Sequence, residues 1–143
     1  MTADLVTEKA QAAAWFEALR DQIVTAFEGL ETSHTDGPTA DFAAGRFEQT
    51  ATKRTADDGS DAGGGLMSVM RGGREFEKVG VNTSTVYGQL GAAAQSAMAA
   101  RGVPGMDSDP RFWASGISLV AHMHNPLVPA VHMNTRMFWT PHA

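Results

Sequence analysis

From Thr7 to Leu30 apolar residues recur at three- and four-residue steps. Ala12, Phe16, Leu19, Ile23, Phe27 and Leu30 form one stripe, and Glu8, Glu17, Arg20, Asp21 and Gln22 occupy much of the remainder. The spacing predicts an amphipathic helix that packs on a sheet and stops at Gly29. The pattern then dissolves. Glu31 to Gly45 is polar and turn-rich, and His34 within it reads as a solvated loop histidine. A strand is predicted over Phe47 to Arg54, followed by a loop over Thr55 to Gly65 that holds Asp57, Asp58, Asp61 and the run Gly63-Gly64-Gly65. The three acids lack the spacing and the closing Glu of an EF-hand, and no Gly-Lys-Ser/Thr follows the glycines to make a phosphate loop. Two readings of the glycine run stay open: a flexible segment, or a close approach of backbone to a ligand.

Leu66 to Arg71 and Arg74 to Thr85 flank Gly72-Gly73, the signature of a hairpin with a two-residue turn. Gly80 marks a bulge or a close approach. Asn82 and Ser84 share a face with Lys78, as polar ligands or as plain strand decoration. Gln89 to Arg101 is Ala-rich and reads as a second helix, capped by Gly102 and closed by Pro104, with a loop over Val103 to Arg111. Two further strands, Ala114 to His122 and Ala130 to Trp139, bracket the turn-rich Asn125-Pro126-Leu127-Val128-Pro129. Hairpins linked by helices predict an α+β fold, a mainly antiparallel sheet flanked by helices, in a single domain over 1–143.

The last hairpin concentrates the chemistry. Side chains alternate faces along a strand, so Ser118, Val120 and His122 share one face, as do His132, Asn134 and Arg136. A turn centred near Leu127 would set His122 opposite His132 and Ser118 opposite Arg136. One face would then carry two imidazoles, an amide, a hydroxyl and a guanidinium. Arg136 is the natural carboxylate clamp, because its planar fork matches a carboxylate in two hydrogen bonds. His132 has the intrinsic pKa for proton transfer near neutrality. His122, His124 and His132 are the only cluster suited to a metal and resemble part of a cupin site, but no Glu follows the pair as a further ligand. A Ser-His-Asp triad is disfavoured by the absence of a Gly-x-Ser-x-Gly elbow.

Composition narrows the partners. The chain has 143 residues, 43% hydrophobic and 19% charged, enough for one modest core. A net charge of −5 argues against nucleic acid, which needs a basic patch, so an anionic ligand must be met by a local arginine site. Cysteine is absent, which excludes disulfides and thiolate chemistry. No apolar run approaches a membrane span and no secretory signal is visible, so the expected setting is cytoplasmic.

Several segments together carry a resemblance. They are Gly63-Gly64-Gly65 with Met67-Ser68-Val69-Met70, Phe76 to Asn82, Ser84-Thr85-Val86-Tyr87-Gly88, Gly116 to Val120, His122-Met123-His124-Asn125-Pro126, and Val128 to Arg136. In this order they resemble the oxygen-dependent coproporphyrinogen III oxidases of haem biosynthesis. The resemblance implies a large flat antiparallel sheet between helical layers and a homodimer. It implies oxidative decarboxylation of two propionates of coproporphyrinogen III to vinyl groups, with O2 as co-substrate and no organic cofactor. Protoporphyrinogen IX, carbon dioxide and hydrogen peroxide would be the products. Residue by residue, His132 matches the proton donor, Ser118, Asn134, Thr135 and Arg136 match substrate contacts, and His122 and His132 match positions given to a divalent metal in some members. Two departures stand out. Thr52 precedes Lys53-Arg54 where members commonly carry Trp, and the family's Trp-Phe-Gly-Gly-Gly segment beyond the Asn-x-Arg strand does not occur in this sequence. The chain therefore reads as an N-terminal portion, roughly half, of such an enzyme. The alternative class is a non-catalytic tetrapyrrole- or metal-binding module.

Overall fold

The computed structural model describes residues 3–142. Helix α1 (Ala3–Ser33) is followed by strands β1 (Glu48–Thr55), β2 (Asp61–Arg71) and β3 (Phe76–Gln89). Helix α2 (Ala92–Ala100), then β4 (Arg111–Met123) and β5 (Val131–Trp139), complete the chain. The five strands form one sheet in the order β1-β2-β3-β4-β5, and every neighbouring pair is antiparallel. This is the α+β architecture the hydrophobic pattern predicts.

The core lies on one face of the sheet. Met70, Val79, Val81, Ile117, Leu119 and Ala121 are buried there beneath Phe16 of α1, with Ala12, Leu19, Ile23, Val24 and Phe27 packed against them. Phe27 stacks on Phe76 at 4.8 Å between ring centroids. Helix α2 sits in the connection between β3 and β4 and buries no side chain. It ends as its sequence predicts. Gly102 takes φ +84°, its N–H donates to Ala99, and the N–H of Val103 reaches back to Met98 in a Schellman cap. Among the described residues no helix is long and apolar enough to cross a membrane.

Three local predictions are corrected. First, α1 does not stop at Gly29. It runs on to Ser33, and Leu30 is left half exposed. A helical glycine costs about 1 kcal/mol relative to alanine, and the extra turn delivers Glu31, whose side chain is fully buried. Second, Gly63-Gly64-Gly65 is not a loop but part of β2, and the turn before it covers only residues 56–60. A Cβ at these three positions would fall 2.1, 2.1 and 2.0 Å from the carbonyl oxygens of Thr85, Thr52 and Thr83. The glycines admit neighbouring strands rather than a ligand. Asp58 accepts hydrogen bonds from Ser60, and Asp61 from Tyr87 and Gly63, so the acids serve the turn and the strand start. Third, Gly72-Gly73 is not a two-residue turn. Residues 72–75 form a longer loop closed by Gly72 N–H to Glu77 and Gly73 N–H to Phe76.

The physical reason for that third departure is an anion. The Glu31 carboxylate accepts the backbone N–H groups of Gly45 (2.7 Å), Arg74 (2.5 Å), Glu75 (2.8 Å) and Phe76 (2.8 Å). The loop, closed by its own two backbone hydrogen bonds, wraps this side chain. Gly73 is needed by proximity, since a Cβ there would stand 2.5 Å from the carboxylate. Burial alone pushes the Glu31 carboxyl up, but the four N–H donors outweigh it and hold the group below its ordinary value. His34 is likewise not solvated. Its Nδ1 lies 2.9 Å from Glu75 Oε2 in the same corner.

Candidate active face of the sheet

The face opposite α1 carries the groups singled out in the last hairpin, in a register two residues away from the simplest one. Ser118 pairs with Asn134, Gly116 with Arg136 and Val120 with His132. The turn is therefore centred at Pro126, not Leu127. The N–H of Val128 closes on Asn125 O, and Asn125 Oδ1 accepts the N–H of Leu127, so the asparagine and proline set the turn. An even slip keeps every side chain on its face. Ser118, His122, His132, Asn134 and Arg136 consequently do share one surface, although neither predicted direct pairing forms. His122 pairs with Lys78 on β3, and His132 is its diagonal neighbour on β5.

Two predicted residues turn their side chains elsewhere, although Thr135 still lines a depression beside Ser118 and Arg136. Thr135 pairs with the buried Ile117, which puts its side chain on the helix-side face. His124 falls beyond the end of β4. Its Nε2 donates to Gly73 O at 2.9 Å and its ring meets Phe42 edge-on at 5.8 Å, so it belongs to the Glu31 corner. Among the described residues no three His, Asp or Glu converge on a point where a metal could sit. His122 and His132 alone fall short of the three protein ligands of an open catalytic site.

The open face is ordered in rows. Thr50, Met67, Asn82, Ser118 and Asn134 form one row across all five strands, and Thr52, Gly65, Ser84, Gly116 and Arg136 form the next. A third row sets Arg71 beside Lys78 and His122. Over Met67–Arg71 of β2 and the paired positions of β3, β4 and β5, this face thus carries Arg71, Lys78 and Arg136 and no acid, in a chain of net charge −5. His122, His132, Asn134 and Arg136 are exposed, and Ser118 and Asn82 are half-buried. Gly116 lets β5 approach, since a Cβ there would stand 2.5 Å from Thr135 O. A depression of about 100 Å³ lies between Asn82, Ser84, Gly116, Ser118, Asn134 and Arg136, and Thr83, Ile117 and Thr135 also line it. It has room for one carboxylate group, with the face around it left for a larger body. A larger hollow of about 1000 Å³ opens beyond Trp113 and Trp139, but its cations already have partners: Lys9 lies 3.3 Å over the Trp139 ring and Arg111 is paired with Asp109.

A family model for coproporphyrinogen III oxidase matches residues 11–143. The chain belongs to the coproporphyrinogen III oxidase family. Three relatives, each named oxygen-dependent coproporphyrinogen-III oxidase, show how far the likeness extends. The protein of Rickettsia bellii (strain RML369-C) is 42% identical over 127 residues, which is 89% of this chain and 41% of the relative. That of Rickettsia felis is 40% identical over 135 residues, 94% of this chain and 44% of the relative. That of Rickettsia akari is 41% identical over 126 residues, 88% and 40%. The chain spans less than half the length of the curated relatives it matches. Within a coproporphyrinogen oxidase framework, the sequence already pointed to the hairpin residues. It also offered Asn82 and Ser84 of β3 as polar ligands or strand decoration, and in the structure both line the depression. What the sequence left open was their place beside the last hairpin, which the pairing of β3 with β4 supplies.

Proposed function

We propose that this chain supplies the substrate-binding sheet of an oxygen-dependent coproporphyrinogen III oxidase, whose reaction is the oxidative decarboxylation of two propionates to vinyl groups. Family membership and the basic open face of an otherwise acidic chain support the reading. The observation that carries it is Arg136, exposed beside Ser118 and Asn134 and hydrogen-bonded to no protein group among the described residues. A substrate with four carboxylates is the kind of ligand such a face suits.

In each of two turns, a propionate would lose carbon dioxide and one hydrogen from the carbon attached to the ring. The two electrons released would pass to O2, and two protons, one of them from that carbon, would complete hydrogen peroxide. Arg136 would hold the carboxylate of the substrate, with Ser118 and Asn134 donating to it. His132, two positions before Asn134 and roughly 7 Å along the strand, would deliver the remaining proton. Thr135 would contribute from the backbone or through the neighbouring strand, since its side chain points to the other face. His122 and His132 would hold a divalent ion only with ligands from beyond the described residues. The homodimer and the cytoplasmic setting belong to the same reading and rest on family membership.

Fluorescence titration with coproporphyrin III, the stable oxidised counterpart of the substrate, tests the reading against Arg136→Ala. Saturable binding that weakens strongly in the variant is the expected result. Equal binding by both proteins, or none by the wild type, would overturn it. An aerobic turnover assay of the same protein separates an enzyme from a binding module.

A further inference from the structure

The strands contain six glycines, and five of them answer to the backbone. A Cβ at Gly63, Gly64, Gly65 or Gly116 would stand between 2.0 and 2.5 Å from a carbonyl oxygen of a neighbouring strand, and Gly88 takes φ +143°. Gly80 is the exception. Its φ is not positive, and an added Cβ would meet only Asn82 Nδ2, at an ordinary 3.5 Å. Nor is it a bulge. It pairs in register with Val69 and Val120, and the irregularity of the β3–β4 ladder lies between Phe76 and Lys78. A glycine inside a strand weakens it and packs nothing. One that the fold does not require marks a place where something else comes close.

Gly80 lies on the open face, since Val79 and Val81 on either side of it belong to the core. Val69 and Val120 flank it in its row; Val120 is 39% exposed, as is 42% of Met67 in the next row. Together they make an apolar floor with a gap at Gly80, which Asn82 Nδ2 borders without filling. His132 ends the same row on β5, two strands or about 10 Å away. Val120 stands four residues, about 13 Å, from Gly116, the partner of Arg136. On the other side, Arg71 and Lys78 form the adjoining row. Cations thus stand beyond both edges of the floor. The ligand that suits this arrangement has a broad apolar body and carboxylates on its rim; a compact polar anion has no use for a cleared apolar floor.

We infer, resting on the reading above, that Gly80 is the seat of the tetrapyrrole. The macrocycle lies across Gly80 between Val69 and Val120, with propionates of its rim toward Arg136 on one side and Lys78 on the other. The absent Cβ lets the ring face settle against the backbone, and that depth sets its rim beside the His132 end of the row. Gly80 is a positioning residue and takes no part in proton or electron transfer.

Fluorescence titration of Gly80→Ala and Gly80→Val with coproporphyrin III isolates the inference. The methyl of Gly80→Ala fits the fold, so its urea midpoint should hold or rise while binding weakens about threefold. The branched side chain of Gly80→Val should weaken binding about tenfold or more. A midpoint that falls in Gly80→Ala would mean the glycine serves the fold, and would overturn the inference. If Gly80→Val binds as the wild type does while Arg136→Ala does not, the inference falls and the proposed function stands. If the wild type does not bind, or Arg136→Ala binds equally, both fall. Should Gly80→Val not fold, Gly80→Ala and the wild type decide. A porphyrin ring current moves protons beneath the macrocycle upfield in NMR spectra. In the wild type, the Gly80 α-protons and the Val120 methyls should therefore move upfield with coproporphyrin III. Unmoved Gly80 α-protons beside a shifting Asn134 side-chain amide would overturn the inference.

Discussion

The corner around Glu31 and the open face of the sheet hold similar side chains in opposite circumstances. In the corner each polar group has a partner. Glu31 accepts four backbone N–H groups, Arg74 reaches the carbonyls of Phe42 and His34, Thr39 donates to Arg74 O, and His124 donates to Gly73 O. On the open face Ser118, His122, His132, Asn134 and Arg136 make no side-chain hydrogen bond among the described residues. An arginine or a histidine is therefore structural or available according to what surrounds it, and residue type alone does not separate the cases. The corner uses its polar groups to join the end of α1, the 34–45 segment and the β2–β3 loop. The face keeps its own in water, where an anionic ligand can replace the solvent.

That contrast is open to attack by mutation. Glu31→Ala should have the largest effect, destabilising the fold by about 4 kcal/mol in urea unfolding, because several buried N–H groups lose a charged acceptor together. A loss under about 1 kcal/mol would mean the corner is not the clasp described. Next, Arg136→Ala should weaken coproporphyrin III binding by about 10- to 100-fold while shifting stability by no more than about 0.5 kcal/mol. A large stability loss would place Arg136 with the structural arginines instead. Gly73→Ala should cost about 1–3 kcal/mol, since the added methyl meets the Glu31 carboxylate. Alanine at Gly72, where nothing lies within 4 Å but φ is +60°, should cost about 1 kcal/mol.

The smallest effect is in acid. The Glu31 carboxyl is held below its ordinary value of 4.5 in the folded chain, so the unfolded chain takes up its proton first. Its contribution to stability is complete above 4.5 and fades as pH falls through the lowered folded value. Urea midpoints of the wild type should therefore drop more steeply below pH 4.5 than those of Glu31→Gln, which has no charge to lose there. Parallel pH profiles would show that the carboxylate's charge does not matter to the clasp.

Much of this molecule was legible in local pattern. The three-four spacing of Phe16, Leu19, Ile23 and Phe27 marked α1, Gly102 marked the end of α2, and alternation marked the last hairpin and put Ser118, His132, Asn134 and Arg136 on shared faces. These follow from short-range geometry, since helix period, cap conformation and pleat are properties of consecutive residues. Tertiary structure alone decided the rest. Glu31 became a buried anchor only because a loop forty residues away brings three N–H groups to it. Gly63-Gly64-Gly65 became a strand because β1 and β3 pair with it on either side, at a closeness that leaves no room for a Cβ. His124 joined the corner and Thr135 the helix-side face because β4 ends at Met123 and β5 alternates strictly. Asn82 came beside Ser118 because β3 and β4, separated by a helix in sequence, are neighbours in the sheet. Sequence patterning determines which side chains can share a face; only the pairing of distant strands determines which of those faces remains unpartnered and free to bind.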